Sequence, residues 1–282
     1  MERILVPTDF SPTAEIALRY ALNIALKAKG AVYLYHVYTP INKSTSVDLD
    51  KTRKQLNSQT ELNLGKKLQR LKKKVMPTGE DLPVIIAVGC SPIITNILSF
   101  SKKNNIDLII MGTKGSSGLK KVIVGSVAIS IIEKSDIPVL LIPEKFEWKE
   151  PQQIIFATDY QSTDRQALTS VIHFAKYYAA AITVMHLLNA KNIQQSQKEK
   201  TNFDKYAFTV QRRFSEAKLK FQLVETTSVA ETIGHLDEKF TYDMLAMVRR
   251  KKSFLQRFFM ESFTQNMAYV TRKPLLVIPE EE

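Results

Sequence analysis

The chain has 282 residues, 44% of them apolar, and a formal net charge of +12. That length exceeds most single cores and suggests two domains, while no window offers the roughly 18 uninterrupted apolar residues of a membrane span. One cysteine, Cys90, excludes an intrachain disulfide and a cysteine-rich metal site. Together with an N-terminus that enters a strand without a signal-peptide pattern, this leads us to expect a cytoplasmic protein. The charge divides as +8 in residues 1–150 and +4 in the remainder. Much of it falls on helix faces such as Lys66, Lys67, Arg70 and Lys72–Lys74, where solvated lysine is the usual explanation. The basic runs lack interleaved stacking aromatics, so a nucleic-acid surface is disfavoured.

The first strand is expected at residues 4–6, followed by Pro7-Thr8-Asp9-Phe10-Ser11-Pro12 and a helix over 13–29 with an apolar side. A second strand covers 31–38, and a long charged helix ends near Val75, where Met76-Pro77-Thr78-Gly79 breaks it. Strand three follows at 83–88, a helix at 92–104, strand four at 107–111 and strand five at 139–142. Strands alternating with helices imply a parallel sheet covered on both faces, with ligands at the carboxyl ends of the strands where strand order reverses.

The stretch DLIIMGTKGSSGLKKVIVGS, residues 107–126, carries four of the nine glycines. It reads as buried strand, glycine loop and helix start, with Ser126 expected as the cap and Gly125 leaving room before it. Glycines permit close backbone approach, and the unpaired N–H groups of a helix N-terminus favour an anion, so the arrangement suits phosphates. Neither a Walker A loop nor GxGxxG is present, and on spacing alone a loop whose glycines merely relieve crowding is an even alternative.

After a charged segment at 145–151 the pattern restarts. Residues 154–159 match 4–9 at an offset of 150, pairing Thr8-Asp9 with Thr158-Asp159, and His36 with His186. At an offset of 136, residues 84–144 align without a gap onto 220–280, pairing Asp107 with Asp243 and Ser126 with Ser262. Two copies of one domain, 1–144 and 152–282 about the 145–151 linker, are the economical reading. Gly112, Gly115, Gly118 and Gly125 become Val248, Lys251, Phe254 and Glu261 in copy two. The fold should therefore not require these glycines, and copy two should have lost a phosphate site.

These residues resemble the universal stress protein family in its tandem form, across essentially the whole chain. The motif Gly, two residues, Gly, nine residues, Gly, Ser or Thr is met by Gly112, Gly115, Gly125 and Ser126. An acidic residue after strand one, His-Val in strand two and the closing Pro-Val-Leu-Leu-Ile-Pro strengthen the likeness. The resemblance implies an α/β fold of two tandem, doubly wound, five-stranded parallel sheets, Rossmann-like and similar to the adenine nucleotide alpha hydrolases. Their last strands, 139–142 and 275–278, would pair as an intramolecular pseudo-dimer, with a homodimer of chains as a further expectation.

It also implies ATP, ADP or AMP, with magnesium as a candidate companion, bound between the first, second and fourth strand ends. Asp9 would contact the nucleoside, with Pro7 and Thr8 as its flanking turn, and Val37 would offer backbone to adenine. Met111, Gly112 and Gly115 would pass under the ribose and phosphates, and Gly125, Ser126 and Val127 would bind phosphate oxygens. Asp9 also has a plain reading, as a turn or helix cap beside the competent cap Ser11. His36, repeated in a copy without the loop, is expected to be structural. Lys114, Lys120 and Lys121 are expected to be solvated. The run Arg249–Lys252 with Phe254, Phe258 and Phe259 is expected to be a solvated loop with an apolar anchor, with a membrane-surface or acidic-partner contact as the alternative. Stress signalling by nucleotide binding is the expected function. A slow ATP hydrolase or transferase and a nucleotide-free adaptor are its rivals.

Overall fold

The computed structural model describes residues 2–41, 47–77, 79–113, 125–144, 146–161, 164–189, 193–249 and 272–280. Among these the chain divides into two compact units, one up to residue 144 and one from residue 146.

In the first unit, β1 (Arg3–Pro7), β2 (Ala31–Tyr38), β3 (Val84–Cys90), β4 (Leu108–Gly112) and β5 (Val139–Ile142) form a parallel sheet in the order β3-β2-β1-β4-β5. Helices α1 (Pro12–Ala28), α2 (Val47–Val75), α3 (Ile93–Lys103) and α4 (Ser126–Lys134) make the crossovers. Central strands covered on both faces must be apolar along their whole length, and Ile4, Leu5 and Val6 are 0% exposed. Strand order reverses between β1 and β4, so their carboxyl ends diverge and leave a crevice.

Helix α1 starts where local chemistry says it should. Ser11 is its N-cap, accepting from the Ala14 N–H at 3.2 Å, and Pro12 opens the first turn. Its buried face, Ala17, Leu18, Ala21, Ile24 and Ala25, follows the helical period. Helix α2 is different: over 51–75 only Leu68 and Val75 are buried. Polar tethers hold it, namely Lys74 to Glu15 at 2.6 Å and Tyr38 to Glu61 at 2.7 Å.

The second unit repeats the plan with β6 (Gln153–Ala157), β7 (Ala181–Leu188), β8 (Leu219–Glu225), β9 (Met244–Arg249) and β10 (Leu275–Pro279), in the order β10-β9-β6-β7-β8. Helix α5 (Asp164–Lys176) matches α1 and α6 (Ile193–Arg213) matches α2. In place of α3 stand two short pieces, α7 (Val229–Gly234) and α8 (Leu236–Lys239). The 146–151 segment packs on this unit: Trp148 lies 6.2 Å from the Tyr178 ring, and Lys149 pairs with Asp243 at 2.9 Å.

The aligned Asp107 and Asp243 have one structural role. Asp107 accepts from the N–H groups of Glu2 and Arg3 at 2.7 and 2.9 Å, and Asp243 from those of Gln152 and Gln153 at 2.8 and 3.0 Å. Each carboxylate holds the entry to the first strand of its unit.

The gapless alignment needs a correction at strand three. Val32 sits opposite Val84, whereas Ile182, its repeat partner, sits opposite Leu219 rather than Lys220. The offset is thus 135 in this strand and 136 again at β4 and β9, where Ile4 faces Leu108 and Ile154 faces Met244. The extra residue of copy two lies between β8 and α7. There Ser228 donates from its N–H to Thr226 Oγ1 at 3.0 Å and caps Glu231 at 3.3 Å, while Pro92 starts α3 without a side-chain cap.

Candidate functional site

The turn after β1 is held by one bond to the neighbouring strand and three within the turn and helix start. Thr8 N–H extends the sheet to Tyr35 O at 2.9 Å, and Thr8 Oγ1 accepts from Phe10 N–H at 3.0 Å. Asp9 Oδ1 accepts from Ser11 N–H at 3.0 Å, and Ser11 in turn caps α1. Phe10 occupies the left-handed region at φ 64°. His36 Nδ1 lies 2.6 Å from Thr8 O, and its ring lies 4.6 Å from that of Phe10, tilted by 46°. Copy two reproduces the turn, with Tyr160 at φ 47°, Thr158 Oγ1 accepting from Tyr160 N–H at 2.9 Å, and His186 at 2.8 Å from Thr158 O. In both units the histidine serves the turn, and His36 also lines the cavity of the first unit. Asp9 takes part in the turn through one carboxylate oxygen.

At the crevice between β1 and β4 lies a cavity of about 340 Å³. Of the ten positions singled out from the sequence, nine are on its wall: Pro7, Thr8, Asp9, Val37, Met111, Gly112, Gly125, Ser126 and Val127. Gly115, Gly118, Lys114, Lys120 and Lys121 lie outside the described residues, as do the aligned Lys251, Phe254, Glu261 and Ser262 and most of the Arg249–Lys252 run. The wall also includes Ala14, Tyr35, Ile93, Ile97 and Thr113, which motif reading passed over. They come from faces whose periodicity marks them only as core. Burial, with the Cys90 thiol adding to it, pushes the Tyr35 phenol up.

Two local expectations change. Ser126 is the first residue of α4, and the cap is Gly125, at φ −64° and ψ 149°, with no side-chain capping bond. Gly125 N–H is bound to Thr113 O at 2.7 Å, which draws the helix start against the end of β4. The N–H groups of the first turn, Ser126 to Ala128, have no partner within the helix by geometry, and these residues line the cavity. Gly112, moreover, has a reason to be glycine without any ligand. A Cβ there would stand 2.5 Å from Thr13 Cγ2 and 3.1 Å from the Thr13 carbonyl carbon. In the first unit this glycine lets α1 seat on β4, while the second unit forms the matching strand with Val248.

The matching cavity of the second unit is smaller, about 90 Å³, and is walled by Thr158, Asp159, Asp164, Met185, Leu187 and Val248 among others. Val248 stands where the first unit has Gly112, and Leu187 where it has Val37. Among the described residues no cluster of three or more His, Cys, Asp or Glu could hold a metal ion, and no helix is long and apolar enough to cross a membrane.

Comparison with known proteins agrees with this architecture. The chain is 30% identical over 161 residues to universal stress protein MJ0577 of Methanocaldococcus jannaschii, a match spanning 51% of this chain and 96% of that one. It is 28% identical over 151 residues to universal stress protein YxiE of Bacillus subtilis, spanning 50% and 97%. A universal stress protein structure from Archaeoglobus fulgidus superposes with a TM-score of 0.66 over 99% of this chain and 97% of that one; at 14% identity this is a likeness of fold. Residues 1–143 and again 151–279 match the universal stress protein family, and the chain belongs to that family as a tandem of two such domains.

Proposed function

We propose that the first unit binds one adenine nucleotide, ATP or its di- or monophosphate, with or without magnesium, and that the protein signals in a cytoplasmic stress response through binding rather than rapid turnover. The observation that carries this is that nine of the ten residues singled out from the sequence line one cavity of about 340 Å³, a size within the range of small-molecule sites. Asp9 would take the ribose hydroxyls and the backbone of Val37 the adenine edge. The first-turn N–H groups of α4, with the Ser126 hydroxyl, would take phosphate oxygens, where the helix dipole favours negative charge. Gly112 and Gly115 would let the ligand lie against the backbone.

Isothermal titration is expected to give one ATP per chain, weakened strongly by Gly115→Val or Gly125→Glu; full-strength binding by both variants would overturn the assignment. A second reading has one observation in its favour. Because Gly112 is required by Thr13 packing, a nucleotide-free adaptor also explains that glycine. Mass spectrometry of gently purified protein separates the two, since the adaptor carries no adenine nucleotide. Incubation with magnesium and ATP measures turnover.

A further inference from the structure

The turn that follows β6 has its own anion. Asp164, at the position of Ala14 in the first unit, is 0% exposed. Its Oδ2 accepts from the Thr158 hydroxyl at 2.5 Å, from Asp159 N–H at 3.1 Å and from Gln161 N–H at 3.3 Å. In the first unit the bond equivalent to the last of these comes from within the turn, Ser11 N–H to Asp9 Oδ1, and Ala14 leaves its space to the cavity. A bond from the first helical turn back to the residue before the helix is ordinary capping. Capping explains the Gln161 contact and leaves the Thr158 and Asp159 contacts over, both of them on the cavity wall. A buried carboxylate with three converging donors is bound as a ligand would be.

We propose that Asp164 is an internal anion that fills and shuts the ligand site of the second unit, and that the residue at position 14 or 164 decides which copy of the domain admits a nucleotide. Three features support it. The ten residues of the smaller wall stand at ten positions of the larger one, the volume falls from about 340 to about 90 Å³, and among the residues lining the smaller cavity the change at position 164 alone brings in a charge. A fixed carboxylate here repels phosphate through a low-dielectric gap, which bulk from Val248 or Leu187 does not.

Two arms test it, the second resting on the nucleotide reading of the first unit and the first independent of it. Asp164→Ala leaves three donors without their acceptor. Its melting temperature is expected to fall below wild type and to recover by about 2–4 °C on saturation with formate or acetate, but not with chloride at equal ionic strength. Wild type should not respond. A variant that melts like wild type, or one that carboxylates do not rescue, overturns the proposal. In the second arm, Ala14→Asp carries the charge into the first unit, at the third helical position where an acid favours folding. ATP affinity is expected to fall about 100-fold, and several-fold less for the uncharged Ala14→Ser. Undiminished binding by Ala14→Asp overturns the proposal, and it also decides the matter if Asp164→Ala fails to fold. If wild type itself binds no ATP, the nucleotide reading fails and the carboxylate arm still decides this one.

Discussion

His36 donates from Nδ1 to the carbonyl oxygen of Thr8 at 2.6 Å, and 150 residues later His186 does the same to Thr158 at 2.8 Å. Because a carbonyl only accepts, each ring carries its hydrogen on Nδ1. The bond joins the second strand of each unit to the turn after the first. His36→Ala and His186→Ala are both expected to lower unfolding stability by about 1–3 kcal/mol, since each leaves a turn carbonyl without its donor. Only His36→Ala should also weaken nucleotide binding, because its turn borders the larger cavity. Urea denaturation beside calorimetric titration checks both, and equal nucleotide affinity in the two variants would contradict the placement.

Gly89 marks a second dependence between distant residues. A Cβ at Gly89 would lie 1.9 Å from the Tyr35 hydroxyl oxygen and 2.7 Å from Tyr35 Cζ. Tyr35 is stacked at 4.2 Å on Phe100 and lines the cavity. Gly89→Ala is expected to cost about 1–3 kcal/mol by overpacking. It should also push the phenol toward the cavity and reduce affinity, and combining it with Tyr35→Ala should restore much of the lost stability. Denaturation of the single and double variants reads the coupling.

Ser126 offers a test of backbone donors that spares the fold. Proline is tolerated at the first helical position, and Gly125 already has the extended backbone that precedes a proline, φ −64° and ψ 149°. Ser126→Pro should therefore keep stability within about 1 kcal/mol while deleting one N–H from the cavity wall. Nucleotide affinity is expected to drop about tenfold or more, whereas Ser126→Ala, which loses only the hydroxyl, should drop less. Similar affinity in Ser126→Pro and wild type would remove the helix N-terminus from the site.

Asp243 sets a pH dependence. Burial pushes its carboxyl up, but the hydrogen bonds from Lys149 and from the N–H groups of Gln152 and Gln153 outweigh that and hold it below the usual carboxylate range. A lowered folded-state value stabilises the fold above the unfolded-state value, about 4, and that contribution is lost as pH falls through the folded-state value. Glu15, which burial also pushes up, is likewise held low by Lys74 and Arg19 and adds in the same direction. Asp243→Asn should unfold more easily at neutral pH and show a flatter decline below pH of about 4 in pH-stepped denaturation. A decline as steep as wild type would assign the acid sensitivity elsewhere.

Much of this architecture is local and was therefore readable. Strands at 31–38 and 139–142 have the bounds that the apolar runs suggested, because buried parallel strands are apolar throughout and end at turn residues. The Thr-Asp-aromatic turn, the Ser11 cap and the duplication are likewise written in contiguous residues. Three features were not. The one-residue shift at β8 depends on which residues face across the sheet, and the aligned letters tolerate either offset. The cap of α4 depends on where Gly125 meets Thr113. The reason for Gly112 depends on Thr13, 99 positions away in the chain but in contact across α1 and β4.

What the sequence by itself determined was the plan: two copies of a strand-and-helix alternation, each with a turn after its first strand and one with a glycine-bearing stretch, because hydrophobic period and turn chemistry act over a few residues. Tertiary structure alone decided what the two turns enclose. Ala14 and Asp164 are single letters at the same helical position, and both suit the start of a helix. Only packing reveals that one leaves a cavity open while the other puts a buried carboxylate into it, since that outcome depends on strands and helices far apart in the chain closing around the same few ångströms.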